Sequence, residues 1–274
     1  MSFHTGRTPR KYGNIPHLSC LMSGRKIVAP PDSVNWTSQA KANPLFEMYG
    51  NDQYGDCPFA GLLNLRRLQD SIAKNFTTID TTADALKMYG EVTGFMQNDP
   101  ATDNGAALQD VLAFAKTTGT PIGKHGNSRD KITDYLEVDP RNHSDVMTVI
   151  NDFGGIYMGF NVPKSLANAL DNGNIPDTWD VRAGDSPSGE GHCVDGVNYG
   201  GKVLTIASWG REYEMTWAFW DAWVDECYLI INYTWLNSLN QTPLGMTVNQ
   251  LESLLKGFAS PPSEHSGISG SLTA

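Results

Sequence analysis

Cys57 is the residue whose position in this sequence most clearly suggests chemistry. It follows a glycine-containing turn over 50–56 and precedes an apolar-periodic stretch that begins at Pro58. A thiol at a helix N-terminus feels the positive end of the helix dipole, which lowers its pKa and favours the nucleophilic thiolate. Unpaired backbone N–H groups at that end could also receive an oxyanion. A buried cysteine that packs as a small hydrophobe fits the same position, so position alone leaves both interpretations open.

His192 is the candidate base. It lies between Gly191 and Cys193, with Gly189 further ahead, at the predicted start of a strand. Glycines ahead of a strand would let the imidazole reach a cleft, although a lone histidine at such a place is more often structural. An early helix that starts with cysteine and a late strand that starts with histidine provide what a thiol–imidazole pair needs. Cys193 should point to the opposite face of the strand and lie in the core.

The sequence resembles the papain-like cysteine peptidase superfamily over residues 34–236. Several segments carry the resemblance and occur in the family's order, although each is weak by itself. They are Val34-Asn35-Trp36, Gly55-Asp56-Cys57-Pro58-Phe59-Ala60, Asn104-Gly105 with Leu108 and Phe114-Ala115, Phe153-Gly154-Gly155-Ile156-Tyr157, Gly191-His192-Cys193-Val194 with Val197-Asn198-Tyr199, and Ser208-Trp209-Gly210. The resemblance implies that Cys57 is the nucleophile, that His192 is the base and that Trp209 shields the pair from water.

The oxyanion-hole residue is the first departure from the family's pattern. The family has a glutamine six residues before the nucleophile, where this sequence has Asn51. Gln53 offers the family's side chain four residues ahead of Cys57. Either amide can donate a hydrogen bond to an oxyanion, and the spacing favours Asn51.

The residue that orients the histidine is the second departure. Alignment on Trp209 puts Ala207 where the family has asparagine, and alanine cannot accept a hydrogen bond. Ser208 is the nearest substitute, and Asn198 and Asp195 are weaker candidates. The loss need not abolish thiol chemistry, because a Cys–His ion pair is already activated. It does favour a domain that is slow, specialised or catalytically retired.

Hydrophobic periodicity predicts helices first and strands second. Helices are expected from beside Cys57, at 82–92, 104–118 and 143–153, and strands at 156–162, 192–200 and 203–210. The stretch 217–236 should begin as a helix and finish as a strand. This order is typical of an α+β protein. The resemblance implies a papain-like fold, with an N-terminal helical lobe packed on a C-terminal antiparallel β lobe.

Composition narrows the class of protein. The 274 residues are 40% hydrophobic and 18% charged, with a net charge of −10, which suits a packed core and argues against a body that wraps nucleic acid. No apolar run reaches membrane-spanning length, and no secretory leader is recognisable. The four cysteines are too sparse for a disulfide framework, and the remaining histidines lack a zinc pattern. We expect no cofactor, no metal, no nucleic-acid specificity and no membrane contact, and a cytoplasmic location with a virion as the alternative.

Composition also divides the chain into three parts. Residues 1–33 are interpreted as an extended basic N-terminal arm, 34–256 as one bipartite papain-like domain, and 257–274 as a flexible Gly/Ser/Pro-rich tail. The arm could contact an acidic partner or, as the favoured interpretation, lie on the acidic body of the chain. Three acids in or beside the tryptophan-rich stretch, Asp221, Asp225 and Glu226, could form a carboxylate pair but are interpreted as solvated surface acids.

The predicted function is a thiol-dependent hydrolase of peptide or amide bonds, with an acyl-enzyme on Cys57 and His192 as acid and base. No prodomain of the family's length precedes residue 34, so a typical lysosomal or exported enzyme is not expected. The alternative is a catalytically weak or retired papain-like domain that serves as a structural or interaction subunit. The sequence around Cys57 resembles that of bacterial and bacteriophage proteins, so the subunit could belong to a bacteriophage particle. It would then assemble through the N-terminal arm and the C-terminal tail. A third possibility is an amidase of cell-wall peptides.

Overall fold

The computed structural model of the protein describes residues 3–11, 13, 15–23, 29–73, 81–122, 128–232, 235 and 249. The tail predicted over 257–274 lies outside the described residues. Over these ranges the α-helices are α1 (Leu18–Met22), α2 (Cys57–Ala73), α3 (Thr82–Thr93), α4 (Leu108–Thr117), α5 (His143–Phe153), α6 (Lys164–Asp171) and α7 (Trp217–Trp223), with 3₁₀ turns at Thr37–Gln39 and Pro100–Thr102.

Local capping explains the bounds of two predicted helices. The Thr81 side chain caps α3 and forms a capping box with Asp84, and Gly94 ends the helix with a φ of 80°. Gly154 ends α5 in the same left-handed conformation, with a φ of 78°. The helices predicted at 82–92 and 143–153 are therefore confirmed.

Two predictions for the N-terminal half are wrong. The helix expected at 104–118 begins only at Leu108, because Gly105 has a φ of 69° and Ala106 forms a parallel bridge with Arg7. The first 33 residues are not extended throughout, since α1 interrupts them. Its side chains Leu18 and Leu21 are fully buried, and this burial stabilises a helix too short to form alone.

The strands are β1 (Ser33–Asn35), β2 (Thr120–Ile122), β3 (Ser128–Asp130), β4 (Asp134–Val138), β5 (Ile156–Pro163), β6 (Thr178–Trp179), β7 (Pro187–Gly200), β8 (Val203–Ser208), β9 (Arg211–Thr216) and β10 (Val224–Ile231). The main sheet has the order β4-β10-β5-β7-β8-β9-β6, and β1 also pairs with β7. Its pairings are antiparallel except for β6 with β9. The predicted α+β class is confirmed, whereas β4 and β9 were not predicted.

Two apolar clusters surround the sheet and meet at β7. The larger cluster contains α5 and α7 residues packed on sheet residues such as Phe160 and Ile206. The second cluster lies between α2, α3, α4 and the sheet, and includes both Cys57 and Cys193. Because successive strand residues face opposite sides, Cys193 lies under α2 while its neighbour His192 faces the other side. The fold thus brings the start of α2 to the middle of β7.

Candidate active site

Cys57 is the first residue of α2 and is buried there, with 1% of its surface exposed. The carbonyl of Asp56 accepts a hydrogen bond from the amide of Phe59 (2.8 Å), which closes the first turn of the helix. The Tyr157 hydroxyl on β5 donates to the Pro58 carbonyl (2.6 Å) and holds this end of the helix on the sheet. The predicted helix start is confirmed, and the thiol lies where helix and sheet meet.

His192 lies inside β7 rather than at its start, which corrects the prediction. The β5–β7 ladder places it opposite Phe160, and backbone pairing continues past Gly191 to Pro187. The glycines ahead of His192 therefore do not end the strand, because the pairing with β5 satisfies the backbone there. The side chain is 0% exposed, so the imidazole faces packed atoms rather than an open cleft.

Two neighbouring side chains hold the imidazole of His192. Its Nε2 atom lies 2.8 Å from the Ser208 Oγ atom. The Trp209 indole stacks on the ring, with centroids 4.3 Å apart and planes at 13°. Trp209 and Gly210 form the turn between β8 and β9, and both have positive φ (46° and 72°). This conformation is uncommon for a non-glycine residue, and it carries the indole over His192.

Strand alternation explains why Ser208, and not Ala207, meets the histidine. Ala207 packs in an apolar cluster with Phe46, Leu68 and Val197. The next residue along a strand faces the other side, and there the Ser208 hydroxyl reaches His192. A polar residue at position 207 would face this apolar cluster, so the contact passes to its neighbour.

The two weaker candidates for orienting His192 are engaged elsewhere. The side-chain oxygen of Asn198, Oδ1, accepts hydrogen bonds from the backbone amides of Trp36 (2.7 Å) and Thr37 (3.2 Å). Asp195 lies under α2, where its Oδ1 atom is 3.6 Å from the Cβ position of Gly61. Neither side chain has a hydrogen bond to His192 within the described ranges, which leaves Ser208 as its contact.

The two oxyanion candidates lie in different surroundings. Asn51 is buried, and its Nδ2 atom donates to the carbonyls of Tyr54 (3.0 Å) and His4 (3.1 Å). Gln53 is exposed. The Asn51 amide is therefore directed at a carbonyl oxygen of a peptide segment that crosses the site. Its role as an oxyanion donor stays a prediction.

That peptide segment is the chain's own N-terminal portion, residues 3–8, which we call the cleft segment. The amides of Gly6 and Arg7 donate to the Gly191 carbonyl (3.2 and 3.0 Å), and the Ala106 amide donates to the Gly6 carbonyl (2.8 Å). The Trp209 Nε1 atom donates a hydrogen bond to the backbone carbonyl of His4 (3.2 Å). An extended backbone is thus held from both sides, by β7 and by the loop before α4.

Gly6 is the point where the cleft segment passes the thiol. Its backbone amide approaches the Cys57 sulfur. A Cβ atom at Gly6 would lie 1.8 Å from the carbonyl oxygen of Gly55, so only glycine fits without displacement. A cavity of about 400 Å³ adjoins the segment, bordered by residues 4–9, 55, 103–105 and 189–191. The segment covers the thiol and has open space beside it.

The Arg7 side chain of the cleft segment is buried and forms ion pairs, which corrects the interpretation of Glu226 as a surface acid. Its side chain is 2% exposed, with Nε 2.6 Å from Glu226 Oε1 and NH2 2.6 Å from Asp225 Oδ1. Glu226 is 0% exposed, so it is not a solvated surface acid. The pair was missed because its members are 219 positions apart and no local pattern connects them.

Comparison of the structure with solved proteins identifies the fold. Xylellain, a cysteine protease from Xylella fastidiosa, superposes with a TM-score of 0.61 and 15% sequence identity, over 84% of this chain and 97% of xylellain. The fold is papain-like. Digestive procathepsin L 3 of Tenebrio molitor larval midgut (TM-score 0.54, 11% identity, 83% of this chain and 75% of that one) and procathepsin B S9 from Trypanosoma congolense (0.52, 10%, 78% and 80%) are also similar.

The papain-like likeness lies in the fold rather than in the sequence. No protein-family model and no curated protein sequence matches the chain. The resemblance inferred from the ordered motifs is confirmed as a resemblance of fold. The α+β class and the antiparallel sheet that follows the first helices agree with it.

Burial sets the protonation of Cys57 and His192. It raises the pKa of the Cys57 thiol to about 12, against smaller lowering effects of the Cys193 and Gly6 backbone amides. Burial lowers the pKa of His192 to about 3. Within the described ranges, the His192 Nδ1 atom has no hydrogen-bond partner. At neutral pH the covered site therefore holds a neutral thiol and a neutral imidazole instead of an ion pair.

Neither a metal-ion cluster nor a membrane-spanning helix is present within the described ranges. No group of three or more His, Cys, Asp or Glu side chains there is arranged to hold a metal ion. None of the helices in that part of the chain combines the length and apolar character needed to cross a bilayer.

Proposed function

We propose that the chain is a thiol-dependent hydrolase of peptide or amide bonds. One observation carries the proposal: an extended peptide, the cleft segment, lies over Cys57 with its backbone hydrogen-bonded to Gly191 and Ala106. A surface that holds its own chain in this way can hold a substrate peptide by the same backbone groups. Xylellain, which has a similar fold, is a cysteine protease, and this supports the same class of chemistry for the present chain.

In the proposed reaction, Cys57 attacks the carbonyl carbon of the substrate while its proton passes to Nδ1 of His192. A neutral ring that donates Nε2–H to the Ser208 hydroxyl keeps the Nδ1 lone pair available for this proton. The Asn51 amide stabilises the oxyanion of the tetrahedral intermediate. The imidazolium returns the proton to the leaving amine, and water then hydrolyses the thioester on Cys57 and regenerates the thiol.

The covered site has to open before this chemistry can start. Burial is the largest cause of both pKa shifts, so admission of water lowers the pKa of Cys57 and raises the pKa of His192 towards their ordinary values. At the helix N-terminus an exposed thiol also gains from the dipole. Departure of the cleft segment is therefore the step that turns a neutral pair into a reactive one.

The experiment uses the full-length chain with Gly6→Val, because a side chain at Gly6 collides with Gly55 and displaces the segment. Hydrolysis of a fluorogenic peptide library is expected for Gly6→Val and not for Gly6→Val combined with Cys57→Ala or with His192→Ala. Gly13→Val is the matched control, since no atom lies within 4 Å of a Cβ at Gly13. Arg7→Glu, which sets like charges against Glu226, releases the segment by a second route.

The retired-domain alternative is favoured by a specific observation as well. The residue at the family's orienting position is Ala207, and both reactive groups are buried in their neutral forms. If Gly6→Val and Arg7→Glu both expose Cys57 to alkylation but hydrolyse no peptide, the domain is a binding module rather than a hydrolase. That such a module would act in a bacteriophage particle stays a prediction from the sequence.

A further inference from the structure

The side chain of Arg7 fills a narrow pocket beside the thiol, which we call the Glu226 pocket. Its walls are the backbones of Gly159 on β5 and Gly191 on β7, and its end is formed by Glu226 and Asp225 on β10. The guanidinium contacts both carboxylates at 2.6 Å through two different nitrogen atoms. The geometry of the two carboxylates thus suits a planar guanidinium group with several nitrogen donors better than a single point charge.

The glycine walls match the stem of an arginine side chain. A Cβ atom at Gly159 would lie 2.5 Å from the Arg7 Nε atom, and one at Gly191 would lie 2.5 Å from the Arg7 carbonyl oxygen. A side chain at Gly159 would collide with the Arg7 side chain, and one at Gly191 would collide with the Arg7 backbone. The two glycines therefore allow Arg7 to lie close against β5 and β7.

Glu226 is held in place independently of Arg7. Its Oε2 atom accepts a hydrogen bond from the Tyr228 hydroxyl (2.7 Å), while Oε1 faces the guanidinium. Burial raises the pKa of Glu226, and Arg7 opposes that effect. A buried carboxylate that loses its cation is strongly destabilised. Binding of another cation is therefore favoured when Arg7 leaves the pocket.

The pocket lies one residue away from the reacting thiol. The neighbour of Arg7 is Gly6, whose backbone amide approaches the Cys57 sulfur. The carbonyl that holds the Arg7 amide belongs to Gly191, the residue before His192. A side chain in the Glu226 pocket therefore belongs to a residue close to the bond that Cys57 would attack.

We propose that the Glu226 pocket binds an arginine side chain of the substrate peptide, and that Arg7 occupies it until a substrate replaces the cleft segment. The proposal rests on the proposed hydrolase function of the same site. It assigns Glu226 and Asp225 as the residues that determine specificity. Lysine binds more weakly in this pocket, because its ammonium has one nitrogen atom and cannot engage the two carboxylates through separate nitrogen atoms.

Peptide binding tests the pocket without requiring catalysis. The probe is a fluorescein-labelled peptide with the sequence of residues 5–8, Thr-Gly-Arg-Thr, and its matched control carries citrulline, an uncharged isostere, in place of arginine. Fluorescence anisotropy with full-length Arg7→Ala is expected to show at least roughly 30-fold tighter binding of the arginine peptide. Adding Glu226→Gln to this variant should remove the difference.

A second measurement guards against loss of fold in these variants. Ethylguanidinium should raise the melting temperature of Arg7→Ala, and should not raise that of Arg211→Ala, which breaks an exposed ion pair with Asp177. Equal binding of the arginine and citrulline peptides, together with no rescue by ethylguanidinium, overturns the pocket.

Cleavage assays separate the two proposals. In the Gly6→Val chain, arginine peptides should be hydrolysed with a kcat/KM roughly 30-fold above that of citrulline peptides, and Glu226→Gln should abolish this preference. Cleavage without a preference for arginine overturns the pocket and leaves the hydrolase function standing. Selective binding of the arginine peptide without any cleavage supports the pocket as an arginine site and removes the hydrolase function.

Discussion

The Nε2 atom of His192 and the Oγ atom of Ser208 lie 2.8 Å apart across the neighbouring strands β7 and β8. The two residues are 16 positions apart in the chain and both are buried. Ser208 lies one position beyond Ala207, where the family resemblance puts the orienting residue, and we propose that Ser208 takes that role. The other ring nitrogen, Nδ1, has no hydrogen-bond partner among the described residues, the Cys57 thiol included.

Ser208→Ala in the Gly6→Val background is expected to lower kcat by about 100-fold, because an imidazole without its hydrogen bond loses its catalytic orientation. KM should stay unchanged, and Ser208→Thr should restore part of kcat because it keeps the hydroxyl. Steady-state kinetics over pH 5–9 measure this. Ser38→Ala, which removes an exposed hydroxyl, is the control. An unchanged kcat in Ser208→Ala would remove Ser208 from the mechanism.

Thiol alkylation should report the opening of the site. In the parent chain, iodoacetamide at pH 8 should modify the exposed Cys20 and spare Cys57, whose pKa of about 12 and burial keep it unreactive. Gly6→Val should speed modification of Cys57 by about 100-fold or more, since the thiolate fraction rises as the pKa falls. Peptide mass mapping over time gives the rates.

The alkylation experiment has a matched control in Gly13→Val, which adds the same side chain to the same N-terminal portion without a collision. It should leave Cys57 as protected as in the parent. Equal protection of Cys57 in Gly6→Val and the parent would show that the cleft segment does not cover the thiol in solution.

Asp195→Asn should stabilise the protein at neutral and alkaline pH. Asp195 is fully buried without a hydrogen-bond partner among the described residues, and burial raises its pKa well above the usual value. A raised pKa means that its stabilising contribution is complete below about pH 3.8 and is lost as the pH rises towards the folded-state pKa. The uncharged amide does not titrate, so the advantage of asparagine should grow with pH.

Urea unfolding between pH 4.5 and 8.5 measures this effect. At the upper end, Asp195→Asn should exceed the parent in free energy of unfolding, and by more than it does at pH 4.5. Asp171→Asn, on the exposed face of α6, controls for the change in net charge. A difference that shrinks as the pH rises would contradict the buried neutral carboxyl.

Tyr157→Phe should weaken the attachment of the Cys57 helix to the sheet. The Tyr157 hydroxyl donates to the Pro58 carbonyl at 2.6 Å in a fully buried position. Its removal should lower the free energy of unfolding by about 1 kcal/mol. Urea denaturation monitored by circular dichroism provides the value. Tyr135→Phe on β4, where the ring is only partly buried, should change it by less than about 0.5 kcal/mol.

Local sequence determined the elements whose signals are local. The sequence predicted the helix at 82–92 (α3) and the one at 143–153 that ends before Gly154 (α5), and the apolar periodicity from Pro58 predicted α2 beside Cys57. These predictions hold because helix caps and amphipathic faces depend on residues within a few positions of one another. The ordered motifs also predicted the papain-like fold.

The prediction was wrong where distant residues decide the local conformation. The residues just before Leu108 stay outside the helix because Ala106 pairs with Arg7, which lies about a hundred positions earlier. His192 lies within a strand because β5 pairs with the residues ahead of it. Local patterns carry no information about such pairing, since each partner's own neighbours are compatible with a loop.

The tertiary structure alone decided the state of the candidate site. The sequence by itself determined which residues could form a thiol–imidazole pair, Cys57 and His192, and that Asn51 has the spacing of an oxyanion donor. Only the fold brought the Gly6 backbone to Cys57, joined Arg7 to Glu226, and buried Cys57 and His192 in their neutral forms. The physical reason is that burial and long-range charge pairing are properties of the packed chain, and they set pKa values that no spacing in the sequence contains.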